Sequence, residues 1–288
     1  CAKLRVTFFG PRFTQGDVSA LATRKNWTFC AVGRDIMCVK RLHVSCALAG
    51  GHATRVTRMF VFGFYLVSVD EEGVVKVWDI DDDVMAVRER EYEERRLRND
   101  DMDAEEASES ASASGVEARD VEMPDGFVTT AIAHPDGYID KLVFGAADGR
   151  MMIMNIRVGK VVYEFAGYGS AVRVVENSPA EDVVAVGLED GRVLLVDVSR
   201  DKVMFTLSMD STHTPVTAMA FRTDGQDDVL CVGDARGRVM VWDLGMRKIR
   251  TLINEAHEGR VSALSFLDGQ PVMVSSGFNK KRDDCFTK

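Results

Sequence analysis

The sequence contains no apolar run approaching the roughly 18 residues that a membrane-spanning helix needs. Met59–Val67 is among the longest, and Gly63 interrupts it. Residues 1–20 carry scattered charge and no leading apolar segment, so no secretory signal is legible. None of the six cysteines (Cys1, Cys30, Cys38, Cys46, Cys231 and Cys285) belongs to a C-x-x-C pair, and most lie within apolar, strand-like runs. They read as small core hydrophobes in a reducing compartment. There is no G-x-S-x-G elbow, P-loop, H-E-x-x-H or G-x-G-x-x-G. The Asp-Gly pairs at 136, 148, 190 and 224 lack the D-x-D-x-D spacing of a calcium loop, which leaves turn chemistry. The five histidines are dispersed, so no ligand pair or acid–base cluster forms. The expected catalytic, cofactor and metal residues are therefore none, with no small-molecule substrate and no membrane partner.

A strongly basic footprint is also missing. The formal net charge is −9, but residues 81–125 hold 17 acids and 6 bases, leaving 28 acids and 30 bases for the rest. The body is close to neutral, and the acidity belongs to one segment. Lys280-Lys281-Arg282 is followed at once by Asp283-Asp284, so basic residues make no stripe along the chain.

What the chain does contain is a repeated hairpin. Val183–Leu188 and Val193–Val198 are apolar runs flanking Glu189, Asp190 and Gly191. Val- and Leu-rich runs hinged at Asp-Gly predict antiparallel strands, and their unbroken apolarity predicts that both faces are covered. Gly191 precedes Asp197 by six residues, and the same interval separates Gly237 from Asp243, Gly149 from Asn155 and Gly73 from Asp79. From Asn155 to Asp197 is 42 residues, and from Asp197 to Asp243 is 46. Trp78-Asp79 and Trp242-Asp243 close two copies. A period of about 40–45 residues ending in Trp-Asp is the signature of WD-repeat propeller blades. The predicted fold is an all-β, WD-repeat β-propeller with about six of seven blades visible, the first and last incomplete, and one acidic disordered insertion.

Taken in order, Lys3–Phe9 reads as an outer strand, and Asp17–Thr23, Thr28–Val32 and Ile36–Leu42 as three strands of the first full unit. Gly51-His52 opens the second. His52, Ser68 and Trp78 are the residue types that hydrogen-bond together within a WD blade, with Glu72 in the place of the turn Asp. His257 opens the sixth unit as His52 opens the second. The expected structural blade residues are thus His52, Ser68, Trp78, Asp79, Asp190, Gly191, Asp197, Trp242, Asp243 and His257. Arg222 and Arg238 are expected at the surface.

Residues 1–81 form the first part of the propeller and 126–288 its continuation. Between them, residues 82–125 form the insertion. Within it Arg88–Arg98 has helical composition, with Glu91 and Arg95 spaced as an i,i+4 pair. Asp100–Gly115 has the composition of disorder, and its serines (Ser108, Ser110, Ser112, Ser114) lie among acids. Val116–Met123 is the candidate for the outer strand of the second blade. In the sixth unit Arg260–Phe266 and Pro271–Ser275 read as strands, while Gly277–Lys288 shows no third strand. On this reading the chain starts in an outer strand and stops within a blade.

Several segments resemble one family. They are Ser178-Pro179-Ala180-Glu181-Asp182-Val183-Val184-Ala185-Val186-Gly187, Phe221-Arg222-Thr223-Asp224-Gly225 and Phe266-Leu267-Asp268-Gly269-Gln270-Pro271. The run from His134 to Phe165 and Ala31-Val32-Gly33-Arg34-Asp35-Ile36 are similar too. They resemble the WD-repeat-containing-protein-thirty-six / U-three-protein-twenty-one family, tandem-propeller subunits of the UTP-B module of the small-subunit processome. The resemblance implies a non-enzymatic scaffold in the nucleus and nucleolus. It also implies other UTP-B proteins as partners, with U3 snoRNA and pre-rRNA in the same particle reached through protein contacts. Two rivals remain from the residues alone. A ubiquitin-ligase substrate receptor is also a WD propeller, but often shows Trp-Asp-x-Arg, whereas Trp78-Asp79 continues Ile80-Asp81 and Trp242-Asp243 continues Leu244-Gly245. A propeller enzyme requires clustered acids, histidines or metal ligands, which the dispersed residues do not suggest.

Overall fold

The computed structural model describes residues 18–41, 43–98, 118–208, 213–226, 228–267, 269–279 and 284–287. The chain forms two compact units, Lys3–Met123 and Pro124–Lys288.

The N-terminal unit contains two four-stranded antiparallel meanders. The first is β1 (Val18–Arg24), β2 (Trp27–Val32), β3 (Asp35–Lys40) and β4 (His43–Leu48). The second is β5 (Val56–Phe62), β6 (Tyr65–Asp70), β7 (Val75–Asp79) and β8 (Arg119–Val121). Helix α1 (Asp82–Arg98) follows β7, with Asp82 and Asp83 in its first turn, where they complement the positive end of the helix dipole. Arg24 fixes that end: its guanidinium donates to the Gly63 and Ile80 carbonyls, each at 2.9 Å, and to Asp82 at 3.0 Å. Met85 is fully buried, and Tyr92 packs beside it against a core that includes Trp27, Phe29, Leu66 and Trp78.

The C-terminal unit repeats the meander. Its sheets are β9 (Thr129–Ala133) to β10 (Lys141–Ala146), β11 (Met151–Asn155) and β12 (Lys160–Phe165), then β13 (Val172–Asn177), β14 (Val183–Leu188), β15 (Arg192–Asp197) and β16 (Lys202–Ser208). The third is β17 (Val216–Phe221), β18 (Val229–Asp234), β19 (Val239–Asp243) and β20 (Lys248–Ile253). The last has three strands, β21 (Val261–Phe266), β22 (Met273–Asn279) and β23 (Asp284–Thr287).

In the four-stranded sheets of the C-terminal unit the second and third strands are mostly buried, as their unbroken apolar sequence requires; β18 is buried at every position. First strands of consecutive sheets pack together, β9 on β13, β13 on β17 and β17 on β21. This close packing depends on glycine. A Cβ on Gly145, Gly187 or Gly233 would fall 2.4, 2.6 or 2.6 Å from a methyl of Val172, Val216 or Val261 in the next sheet. Fourth strands lie on the outside, and β20 is exposed along its whole length.

The structure departs from the sequence reading in three places. The first sheet has four strands where three were expected: Arg41, at φ 50, turns the chain after Lys40, and His43–Leu48 pairs back on β3. The segment 277–288 does carry a third strand, because β22 runs on to Asn279 and Asp284–Thr287 pairs with it; its mixed polar composition hid a strand specified by pairing. The helix starts at Asp82, six residues before the predicted Arg88. The expected outer strand of the second sheet is present: Arg119–Val121, within Val116–Met123, pairs with β7. The expectations for Lys3–Phe9 and Asp100–Gly115 lie outside the described residues, as does the Arg95 side chain.

Candidate functional site

In the second sheet the register places Trp78 opposite Leu66, and Ser68 two residues further along β6. The Trp78 indole N–H donates to Ser68 Oγ at 2.8 Å, and Ser68 Oγ lies 2.7 Å from His52 Nε2. His52 Nδ1 lies 3.1 Å from Asp70 Oδ2. A carboxylate only accepts, so the imidazole proton sits on Nδ1 and the Ser68 hydroxyl donates to Nε2. Proton direction is consistent through the whole chain, from Trp78 to Ser68 to His52 to Asp70. Burial pushes the His52 pKa down against the pull of Asp70, which suits a neutral ring. Asp70 also uses Oδ1 to accept from the Glu72 and Val74 amides at 3.1 and 2.9 Å, so it ties the turn to the histidine. The turn acid is therefore Asp70 and not the residue at Glu72. Gly51 makes room for the indole, since a Cβ there would fall 2.3 Å from Trp78 Cη2.

The same register positions carry different residues in other sheets. In the sixth, His257 Nε2 meets Ser275 Oγ at 2.9 Å, but Gly277 stands where the second sheet has Asp70. A Cβ on Gly277 would come within 2.2 Å of the His257 ring, so the acid has given way to the imidazole itself. In the fifth, Val232 stands in the place of Ser68. Trp242 is buried, and its indole N–H finds no acceptor among the described residues. Asp234 occupies the place of Asp70 and is fully buried. It accepts from the Arg236 and Arg238 amides at 2.9 and 3.0 Å and from Arg238 Nε at 2.6 Å. Sequence reasoning missed Asp70 and Asp234; both lie four residues before a turn-exit residue and three before a Gly, a spacing that could have marked them.

Asp190 belongs to a second device. It pairs with Arg192 Nε at 2.8 Å, and Arg192 Nη2 donates to the Tyr168 carbonyl at 2.9 Å. Asp148 and Arg150 repeat this one sheet earlier, with Arg150 Nη2 donating to the Asp125 carbonyl at 3.1 Å. Arg238 does the same from Asp234 to the Thr214 hydroxyl. In each case an arginine just after the turn glycine braces the loop leading into its own sheet. The turn glycine itself is pressed on the following loop: Gly191 has φ 85, and a Cβ there would fall 2.8 Å from the Thr214 carbonyl oxygen. Arg238 is consequently not a surface residue, for its side chain is 13% exposed. Arg222 is similar, at 15% and paired with Asp224 at 2.6 Å.

The residue six after each turn glycine caps the next turn. Asp197 accepts from the Ser199 and Arg200 amides, Asp243 from that of Met246, Asp79 from that of Asp81, and Asn155 from those of Arg157 and Val158. The Ser199 hydroxyl holds the Asp197 carboxyl below its usual range. The requirement is for a short side-chain acceptor, which explains why Asn155 serves where the others have Asp. Among the described residues no group of three or more His, Cys, Asp or Glu is placed to hold a metal. A polar cleft of about 380 Å³ lies between the β3–β4 turn and α1, lined in part by Arg41, His43, Tyr92 and Glu93.

Four-stranded meanders repeated at this period, with a His–Ser–Trp–Asp network in the second sheet and Asp- or Asn-capped turns, are those of a WD-repeat β-propeller. The chain belongs to the WDR36/Utp21 first β-propeller family, whose model matches residues 1–280. It is 26% identical over 261 residues to WD repeat-containing protein 36 of Homo sapiens, covering 91% of this chain and 25% of that protein. It is 26% identical over 281 residues to U3 small nucleolar RNA-associated protein 21 homolog of Schizosaccharomyces pombe, covering 96% of this chain and 27% of that protein. The chain thus spans about a quarter of the length of these relatives. In fold it is similar to the crystal structure of the computationally designed Ika8 protein, with a TM-score of 0.62 and 22% identity over 95% of this chain and 71% of that one.

Proposed function

We propose that this chain is the WD-repeat part of a non-enzymatic scaffold subunit of the small-subunit processome, supporting U3 snoRNA-dependent pre-rRNA processing and small ribosomal subunit biogenesis. Residues 1–81 and 126–288 are then two parts of one repeat array, interrupted by 82–125. The observation that carries the reading is the family match across residues 1–280, together with relatives named for association with U3 small nucleolar RNA. The chemistry of the buried groups agrees with it. His52, Ser68, Trp78, Asp70 and Asp234 are all spent on one another or on turn amides, an arrangement suited to holding blades rigid and not to turnover. On this proposal the protein resides in the nucleus and nucleolus, and its partners are other UTP-B proteins, with U3 snoRNA and pre-rRNA in the same particle. The test is affinity purification of the tagged protein from intact cells, with identification of co-purifying proteins and RNA. Recovery of small-subunit processome proteins and U3 RNA is the expected result. Recovery of a cullin-type ligase without them would replace the scaffold reading with that of a substrate receptor.

A further inference from the structure

In an antiparallel meander, the turns after the first and third strands lie at one end of the sheet, and the turn after the second lies at the other. In the C-terminal unit that shared end is segregated by charge. The first turns, on the inner side, carry Asp136 and Asp140, then Glu181 and Asp182, then Asp228 and an Asp224 paired with Arg222. The third turns, on the outer side, carry Arg157 and Lys160, Arg200 and Lys202, Arg247 and Lys248. These pairs are 42 to 47 residues apart in sequence, so no stripe is visible in the chain. Folding sets them on the third turns of three consecutive sheets, with the lysines at one register position, opposite Asn155, Asp197 and Asp243.

All six cations are exposed. Two of them sit in surface ion pairs, Arg157 with Asp140 at 3.8 Å and Arg200 with Asp197 at 3.5 Å, which cost a competing phosphate little to displace. Lys160, Lys202 and Lys248 make no ion pair among the described residues, and Arg247 lies over the Phe205 ring at 4.8 Å without a carboxylate. The acids on the same turns also hold backbone or hydroxyl donors. Asp197 and Asp243 accept turn amides, and Asp201 accepts from the Tyr163 hydroxyl at 2.7 Å. The first sheet of the N-terminal unit offers a contrast. Lys40, at the same turn, is bound by Glu89 of α1 at 2.7 Å and lies over the Trp27 ring, so that position is already neutralised within the protein.

We propose that the outer third-turn rim of the C-terminal unit binds the phosphate backbone of an RNA strand without reading its bases. Evenly repeated cation pairs on long side chains match a polymer of evenly repeated monoanions better than one folded acidic patch. The acidic inner turns repel the same polymer and confine it to the outer edge. Contacts to phosphate alone give affinity without sequence preference. The choice of RNA over another phosphate chain rests on the function proposed above; the rim's affinity for phosphate does not.

The test uses the purified 288-residue chain and a labelled single-stranded oligouridylate, with oligothymidylate and polyglutamate as competitors. For four phosphate contacts on a single strand, affinity should fall about 50-fold between 50 and 200 mM salt. The triple variant K160E/K202E/K248E should lose at least about tenfold in affinity, as expected when three of the contacted charges are reversed, with thermal unfolding unchanged. The paired control R236E/R260E, at the opposite end, should bind like the parent. Absence of binding by the parent at low salt, equal binding by the triple variant, or polyglutamate competing better than nucleic acid would each overturn the proposal, the last in favour of an acidic protein. Stronger competition by oligothymidylate than by oligouridylate would overturn RNA as the ligand. Recovery of processome proteins with the triple variant separates the two readings: retention of those proteins with loss of RNA binding supports the rim and leaves the scaffold role intact.

Discussion

Ser68→Ala removes one oxygen from the centre of the second sheet. Ser68 is fully buried, and that oxygen is both the acceptor for Trp78 Nε1 and the donor to His52 Nε2. The cavity left by a single hydroxyl is negligible, so the cost is that of two buried polar groups stripped of partners. At about 1–3 kcal/mol for each orphaned group, the variant should lose about 2–6 kcal/mol. Ser68→Thr keeps the hydroxyl and should lose much less. The fifth sheet supplies the reverse experiment. Trp242 already has an orphaned indole N–H, and Val232 holds the position of Ser68. Val232→Thr introduces the missing acceptor at nearly constant volume, and one net hydrogen bond should stabilise by about 0.5–1 kcal/mol. Urea unfolding followed by tryptophan fluorescence, with m-values compared to confirm that the unfolded reference is unchanged, measures both. A Ser68→Ala variant within about 0.5 kcal/mol of the parent, the range of an ordinary surface substitution, would refute the assignment of the network as a stabilising element.

Two buried groups give pH dependences of opposite sign. Burial holds the His52 pKa below its usual value, so its contribution is present above about pH 6.5 and lost as pH falls toward the folded-state value. Glu176 of β13 is pushed up to about 7 by burial, so its contribution is complete below the ordinary carboxylate value and lost as pH rises through about 7. Glu176→Gln should therefore stabilise the chain by up to about 3 kcal/mol at pH 8 and by little at pH 4. An equal effect at both pH values in thermal unfolding would show that the carboxyl is solvated. Arg238→Ala strips a fully buried carboxylate of its charged partner and should cost about 2–3 kcal/mol, while Arg200→Ala should fall within about 0.5 kcal/mol of the parent. Trp242→Ala should cost about 3–5 kcal/mol and reduce every partner contact together, because it removes folded protein. If Trp242→Ala kept parental stability yet lost a single partner, the tryptophan would be a binding residue. Replacing residues 99–117 by a short Gly/Ser linker should leave unfolding almost unchanged, since each halving of loop length changes closure entropy by only about 0.6 kcal/mol. Replacing Asp83–Pro124 removes Met85 and β8 as well and should lower the denaturation midpoint clearly. Equal midpoints for the two replacements would show that neither contributes.

The blade fold was legible in the sequence because it is written in local terms. A positive-φ glycine, a capping Asp or Asn six residues later and an unbroken apolar run each act within one hairpin, and repetition raises a weak signal to a strong one. His52, Ser68 and Trp78 could be named because their spacing follows from the strands that carry them. Asp70 was missed because its role depends on where the turn folds back on His52, and nearby Glu72 offered the same charge one step from Gly73. The Val116–Met123 strand was anticipated from a missing partner, whereas 284–287 was not, since edge strands are specified by the sheet they join more than by their own composition. The apparent surface position of Arg238 was an error of the same origin: only the packed sheet shows that Asp234 draws it inward. Tertiary structure alone decided the charge pattern. Lysines 42 and 46 residues apart are unrelated along the chain, but a repeat places equivalent positions side by side, and so a sequence of net charge −9 folds with a row of lysines along one outer rim.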